Sequence, residues 1–336
     1  MNNLKRNIDV FGIGNALVDT IVYVDDDFIR EHALTKGMMT LADSPTQANL
    51  LTAIEGKRVE LHSGGSAANT IHALVLNGAS AFYCSKLASD PNGEFYRQDL
   101  LNAGVHFDVH PVAEGSGSTG SCLIFVTPDA ERTMHTHLGV STELSISDVD
   151  TDRLAGSKYL YMEGYLWDAE NPRKACLAAA ESAKRAGVKV SLTFSDPFCV
   201  SRYKEEFFHA SRELCDVIFC NLEEARHFSG MEKIEDAAAY IGNLCNLVFV
   251  TNSAEGAIVV ENKKMSSVSG FPVKPQDTTG AGDAFAAGVL HGLTHGLSPQ
   301  ESARWGNYLA SETVQFTGAR LHETRKHMLE KIVKAQ

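Results

Sequence analysis

Asp277-Thr278-Thr279-Gly280-Ala281-Gly282-Asp283-Ala284-Phe285 is the stretch from which the rest of this chain is read. It lies between a strand-like, Pro-punctuated segment, Phe271-Pro272-Val273-Lys274-Pro275, and an apolar run, Ala284 to Leu293, that predicts a helix. Glycines 280 and 282 let the backbone approach a ligand closely and take conformations closed to other residues. The first N–H groups of a helix have no internal partner, and the helix dipole favours negative charge beside them. A phosphate is the natural occupant. Asp283 is the odd member, because its carboxylate would be repelled by a bound phosphate. It makes sense as a base that takes the proton from a hydroxyl attacking the phosphorus. The plainer alternative is a helix with a Gly-rich entry turn.

The 336 residues suffice for one large α/β domain or two smaller units, and 44% apolar with 21% charged residues can form a sizeable core. A net charge of −12 argues against a general nucleic-acid or anionic-membrane binder. Seven scattered cysteines with no Cys-x-x-Cys pair suggest reduced thiols in the cytoplasm. The N-terminal residues lack the apolar core of a signal peptide, and no run approaches a membrane span.

Working outward, Ile8 to Gly14 is a β-rich run that opens Gly12-Ile13-Gly14-Asn15-Ala16-Leu17-Val18-Asp19. Gly12-x-Gly14 invites a dinucleotide-binding reading, but the third glycine is replaced by Leu17. From Ser80 onward, strand-like runs (81–87, 159–162, 188–194, 217–220, 247–251) alternate with amphipathic helical ones (93–103, 173–186, 205–214, 222–228, 235–245). That alternation predicts βαβ units in a mainly parallel, doubly wound sheet covered on both faces, with ligands at the carboxyl ends of its strands. Two excursions, about 20–62 and 108–138, interrupt the pattern with short β-like runs. Between them lies His62-Ser63-Gly64-Gly65-Ser66-Ala67-Ala68-Asn69-Thr70, whose paired glycines precede a helix of small residues. His135 and His137 share a strand face without further metal-ligand partners, so an ordinary strand is the better reading.

The stretches 277–285 and 62–70, in this order, resemble the two signatures of the ribokinase-like (PfkB) kinases of sugars and nucleosides, and the likeness runs along nearly the whole chain. It implies a single three-layer α/β/α domain over 1–336, with the two excursions forming a small β lid. It also implies ATP as phosphate donor, Asp283 as general base, and Gly280, Ala281 and Gly282 as the anion hole. On the acceptor side it implies Asn15 and Asp19, with Gly64, Gly65, Ser66 and Asn69; two carboxylate oxygens suit neighbouring sugar hydroxyls. Asn221-Leu222-Glu223-Glu224 matches the family's Asn-x-x-Glu, in which the Glu helps place Mg²⁺ through water, although the same spacing is a helix capping box. Thr251, Gly256 and Asn307 correspond to the ATP side, where Ser253 stands in place of the usual glycine. A looser correspondence of Gly318-Ala319 with Asp277 and Thr279 would add K⁺.

Within the family, the segments Phe11–Asp19, Tyr161–Tyr165 and Ser195–Phe198 resemble adenosine kinases, with Leu17, Leu138 and Tyr165 against the purine. Flat aromatic and aliphatic surfaces are what a purine face requires. The resemblance therefore implies phosphorylation of a nucleoside 5′-hydroxyl by a cytoplasmic monomer or homodimer that binds neither nucleic acid nor membrane. A sister kinase of a free sugar or sugar acid is the alternative. A nucleotide-sensing protein or a dehydrogenase stands behind it.

Overall fold

The computed structural model describes residues 6–129 and 131–334. Its thirteen strands, numbered along the chain, form two sheets. The larger sheet has the order β13-β12-β11-β10-β9-β8-β1-β5. Its strands are β1 (Ile8–Ile13), β5 (Ala81–Cys84), β8 (Ser157–Glu163), β9 (Lys189–Thr193), β10 (Val217–Asn221), β11 (Leu247–Thr251), β12 (Gly256–Glu261) and β13 (Lys264–Ser269). The six from β5 to β11 pair in parallel, and β12 and β13 close the far edge antiparallel. The smaller sheet has the order β3-β7-β6-β2-β4, built from β2 (Leu17–Tyr23), β3 (Met39–Leu41), β4 (Val59–Gly64), β6 (Gly120–Val126) and β7 (Arg132–His137).

Alternation along the strands produces the three layers, because successive side chains point to opposite faces. Leu160, Met162, Ile218 and Cys220 enter one core, against helices such as Glu170–Arg185 and Leu222–Ser229. Tyr161, Val217 and Phe219 enter the other, against the helices Ser66–Leu76 and Ala281–Thr294. Continuous apolar strands covered on both faces are what a parallel sheet requires.

Three expectations need correcting. The Pro-punctuated segment 271–275 is not a strand; the extended partner lies upstream, in the β12–β13 hairpin. Asn262 and Lys263 form the two-residue turn of that hairpin with φ of 48° and 68°, the mirror-image conformation that suits strand twist. The predicted helix starts earlier than Ala284, at Ala281, so Gly280 is its N-cap. The second excursion joins the smaller sheet only from Gly120, since His106 and Val112 bridge to Phe82 and Ala88 beside the main sheet.

Candidate active site

A cleft of about 430 Å³ opens between the two sheets, at the carboxyl ends of the parallel strands. The main sheet contributes Glu163, Thr193, Phe219, Cys220 and Thr251 to its lining, and the smaller sheet Leu17, Asp19, Met39, Ile124 and Met134. The 277–283 stretch completes the wall from Thr278 to Asp283.

The loop owes its shape to two glycines with different tasks. Gly280 sits at φ 77°, in the left-handed region, and a Cβ there would overlap the backbone of Ala319. Gly282 is already helical, and nothing lies within 4 Å of where its Cβ would be. No side chain caps this helix. The first helical bond is donated by Ala284 N–H to the Gly280 carbonyl at 2.9 Å. Ala281 N–H turns back to the Thr278 carbonyl at 3.3 Å, while the N–H groups of Gly280 and Gly282 have no partner among the described residues. Of the three expected anion donors, these two are the unengaged ones.

Asp283, in the first turn, is held from the side by the Ser66–Leu76 helix. Ser66 Oγ donates to one carboxylate oxygen at 2.6 Å, and Asn69 Nδ2 to the other at 3.1 Å. Thr70 Oγ1 donates to the Asp283 carbonyl at 3.2 Å, which locks the two helix starts together. Burial pushes the Asp283 pKa up to about 6, against the opposing pull of these two donors and of Arg320. The shift makes it a better proton acceptor than a free aspartate.

Across the cleft, Asp19 has no hydrogen-bond partner among the described residues, and burial raises it to about 7 despite Arg320 and Arg132 nearby. Gly64 backs directly onto it, and a Cβ there would overlap the Asp19 carboxylate. Gly65, at φ 98°, starts the next helix against the Asn15 carbonyl. Leu17, Leu138 and Tyr165 all line this cleft, as do Asn15, Gly65, Ser66 and Asn69, whereas Gly64 acts from behind Asp19.

The nucleotide-side expectations fare unevenly. Asn221, Glu224 and Thr251 line the cleft. Ser253 and Gly256 do not: Ser253 is exposed at φ 48°, and Gly256, at φ 105°, faces the Val268 carbonyl where a Cβ would overlap it. Asn307 is buried, not exposed, and its Nδ2 donates to the carbonyls of Val268 and Ser269 at 3.0 and 3.1 Å. Its side chain thus ties a helix to β13. Asn69, expected against the sugar, has its amide held between Asp283 and Arg320.

Glu224 realises the capping-box geometry in full. Its carboxylate accepts from Asn221 N–H at 3.0 Å and Nδ2 at 2.7 Å, while Asn221 Oδ1 accepts from Glu224 N–H at 2.9 Å. Burial, with Asp196 and Asp283 adding to it, raises Glu224 to about 8. Among the described residues, no group of three His, Cys, Asp or Glu side chains could hold a metal ion. The donor set suits a magnesium ion that arrives with nucleotide phosphates and water, not one held in a protein cage. Potassium fits less well, because Asp277 is already satisfied: it accepts from Thr279 N–H at 2.9 Å and Gly318 N–H at 2.8 Å, and pairs with Arg132.

Three residues of this site were not singled out from the sequence. Glu163, fully buried at the end of β8, accepts from Asn15 N–H and Nδ2 at 2.7 and 2.8 Å and from Ala67 N–H at 2.7 Å. It pins both chain crossings between the sheets. Arg132 reaches from β7 to Asp277 in the anion loop, and Arg320 reaches Asn69 from the far side.

A solved adenosine kinase from Sinorhizobium meliloti is 38% identical, with a TM-score of 0.89 over 97% of this chain and 99% of that one. A solved probable sugar kinase from Rhizobium etli CFN 42 is 35% identical, also at 0.89, over 97% and 98%. Adenosine kinase 1 of Arabidopsis thaliana is 26% identical over 336 residues, 92% of this chain and 94% of that protein. Residues 38–325 match the pfkB family carbohydrate kinases, a span that holds the anion loop, Asp283 and most of both sheets, and the chain belongs to that family.

Proposed function

We propose that this kinase transfers the γ-phosphoryl group of ATP to the 5′-hydroxyl of a nucleoside, with adenosine as the preferred acceptor. The observation that carries the reading is Asp283 itself, a carboxylate oriented by Ser66 and Asn69 beside the open amides of Gly280 and Gly282. Asp283 takes the hydroxyl proton as the oxygen attacks phosphorus. The two amides and the helix N-terminus face the charge on the transferring group. Burial brings the base close to working pH, where general-base catalysis is most effective.

Nucleoside recognition rests on the opposite wall. Asp19, with no internal partner, is free to accept from ribose hydroxyls, and Leu17, Leu138 and Tyr165 offer surface to a purine. The sheet that carries Leu17 and Asp19 would act as a lid, with Arg132 as its ionic contact to the anion loop. Magnesium, when bound with ATP, would neutralise phosphate charge, with Asn221 and Glu224 the nearest candidates for water-mediated contact. All seven cysteines are free and six are buried, which suits a cytoplasmic enzyme.

The likeness to a probable sugar kinase keeps one competitor in view. A screen reading ADP release across nucleosides and free sugars separates the two. The expected result is turnover highest with adenosine; turnover with ribose, fructose or 2-keto-3-deoxygluconate but no nucleoside would overturn the substrate assignment.

A further inference from the structure

We infer that Arg320 is the positioning residue of the base: it fixes the amide of Asn69 so that its N–H₂ end, and not its oxygen, faces Asp283. The inference rests on Asp283 being the base. An asparagine amide has a donor end and an acceptor end of nearly the same shape, so its packing alone does not choose between them. Arg320 is donor-only, and its Nε donates to Asn69 Oδ1 at 3.0 Å. That contact requires the oxygen to face Arg320, which leaves Nδ2 to donate to Asp283 at 3.1 Å. With the amide reversed, two acceptors would face one another at Asp283 and two donors at Arg320.

The guanidinium is itself held. Its Nη1 pairs with Asp99 on the Pro91–Asn102 helix, and its side chain is largely buried. Nη2 is buried with no partner among the described residues, so the group is held by its two contacts, to Asn69 and to Asp99. The backbone next to it is stitched to the anion loop from two sides. Gly318 N–H donates to Asp277 at 2.8 Å, and Gly280 packs on Ala319. These contacts join the anion loop to the segment that carries Arg320. Arg320 does not line the cleft, and it acts through Asn69.

The charged and titratable groups around the base are few. Glu163, Tyr161, Tyr165 and Glu224 face Asp283 from the main-sheet side. Arg320 faces Asp99, Tyr96, His72 and Asp19 as well as Asp283. Among the described residues it is the one cation acting on Asp283, and its removal both frees the Asn69 amide and raises the affinity of the base for its proton.

The test compares the pH dependence of kcat in R320K, R320M and the double variant R320M/D99N, in which no carboxylate is left without its partner. R320M and R320M/D99N should lose about 10- to 100-fold in kcat, with the acid limb moved up by about one pH unit. R320K, which keeps the charge and a donor, should recover much of both. A fall in melting temperature with the acid limb unmoved would make Arg320 a structural residue and overturn the inference. D283N, run in parallel, separates the two levels: near-normal turnover there would remove the base itself, whatever Arg320 does.

Discussion

Of the three Gly-x-Gly stretches in the chain, those at 12–14 and at 280–282 do opposite things. Gly12 is inside β1, where a Cβ would stand 2.6 Å from Ile71 Cγ1, and Gly14 packs on Ala67 and Tyr83. Their missing side chains let the Ser66–Leu76 helix lie close on the sheet. After them the chain runs into β2, not a helix, so there is no helix N-terminus to receive a phosphate and no dinucleotide cradle. At 280–282 the first glycine makes the left-handed turn, the second faces open space, and a helix begins between them. The difference lies in what surrounds the glycines, which three letters of sequence do not carry.

Paired substitutions put this difference to the test. Gly280→Ala forces a left-handed backbone on a residue with a Cβ and drives that Cβ into Ala319. Turnover should fall by about 10²-fold or more, the effect of losing one well-aimed backbone donor. Gly12→Ala meets Ile71 Cγ1 and Cδ1 and the ring of Tyr83, all side-chain atoms of the core. It should lower stability by about 1–3 kcal/mol and leave kcat of the folded enzyme intact. If both substitutions acted alike on turnover, the contrast would be broken.

A second expectation follows from the burial of charge around the cleft. Asp19, Glu163, Glu224 and Asp283 are raised to about 7, 7, 8 and 6. Each therefore binds its proton more tightly folded than unfolded. His72 and His291, lowered to about 4 by burial, oppose this below about pH 6.5. The four carboxyls outweigh the two imidazoles, so the folded state holds more protons between about pH 5 and pH 8. Stability should rise as pH falls through that window, and the ligand-free protein should melt at a higher temperature at about pH 5.5 than at pH 8. The carboxylates held low by partners, among them Asp148 and Asp277, withdraw their support only in more acidic solution. A melting temperature that climbs steadily from pH 5.5 to 8 would contradict this burial.

The smallest effect belongs to Ser253. Its φ of 48° costs a residue with a Cβ roughly 1–2 kcal/mol, and glycine's extra freedom in the unfolded chain takes back about 0.4–1. Ser253→Gly should stabilise by less than about 1.5 kcal/mol and leave turnover unchanged, since the residue is outside the cleft. A large gain in ATP affinity would show that the loop reaches the nucleotide after all.

What the sequence made legible was local. The two signature stretches put their glycines, Ser66, Asn69 and Asp283 within nine residues each, and apolar runs alternating with amphipathic helical ones announced the parallel strands. The partners that complete the site come from far along the chain. Glu163 is 148 residues from Asn15, and Arg320 is 251 from Asn69. A single polar residue at a strand end or in a loop leaves no periodic trace, so only the fold reveals such pairs. Gly256 and Asn307 have structural roles that the sequence did not announce. They stand in positions the family resemblance assigns to ATP, and in the fold Gly256 packs against the Val268 carbonyl and Asn307 ties its helix to β13. Glu224 falls between, since one spacing serves a capping box and a metal-side carboxylate, and the cap is fully formed.

The central claim is that the Gly280-Ala281-Gly282 turn, with Asp283 after it, carries the chemistry. Asp283→Asn keeps the shape of the side chain, and its Oδ1 can still accept from Ser66, but it cannot take up the acceptor's proton. Turnover should drop by about 10²–10⁴-fold while both substrates still bind, with ATP held at least as tightly once a negative charge beside its phosphates is gone. Turnover near that of the unaltered enzyme would contradict the account and leave 277–285 as a phosphate-binding turn only.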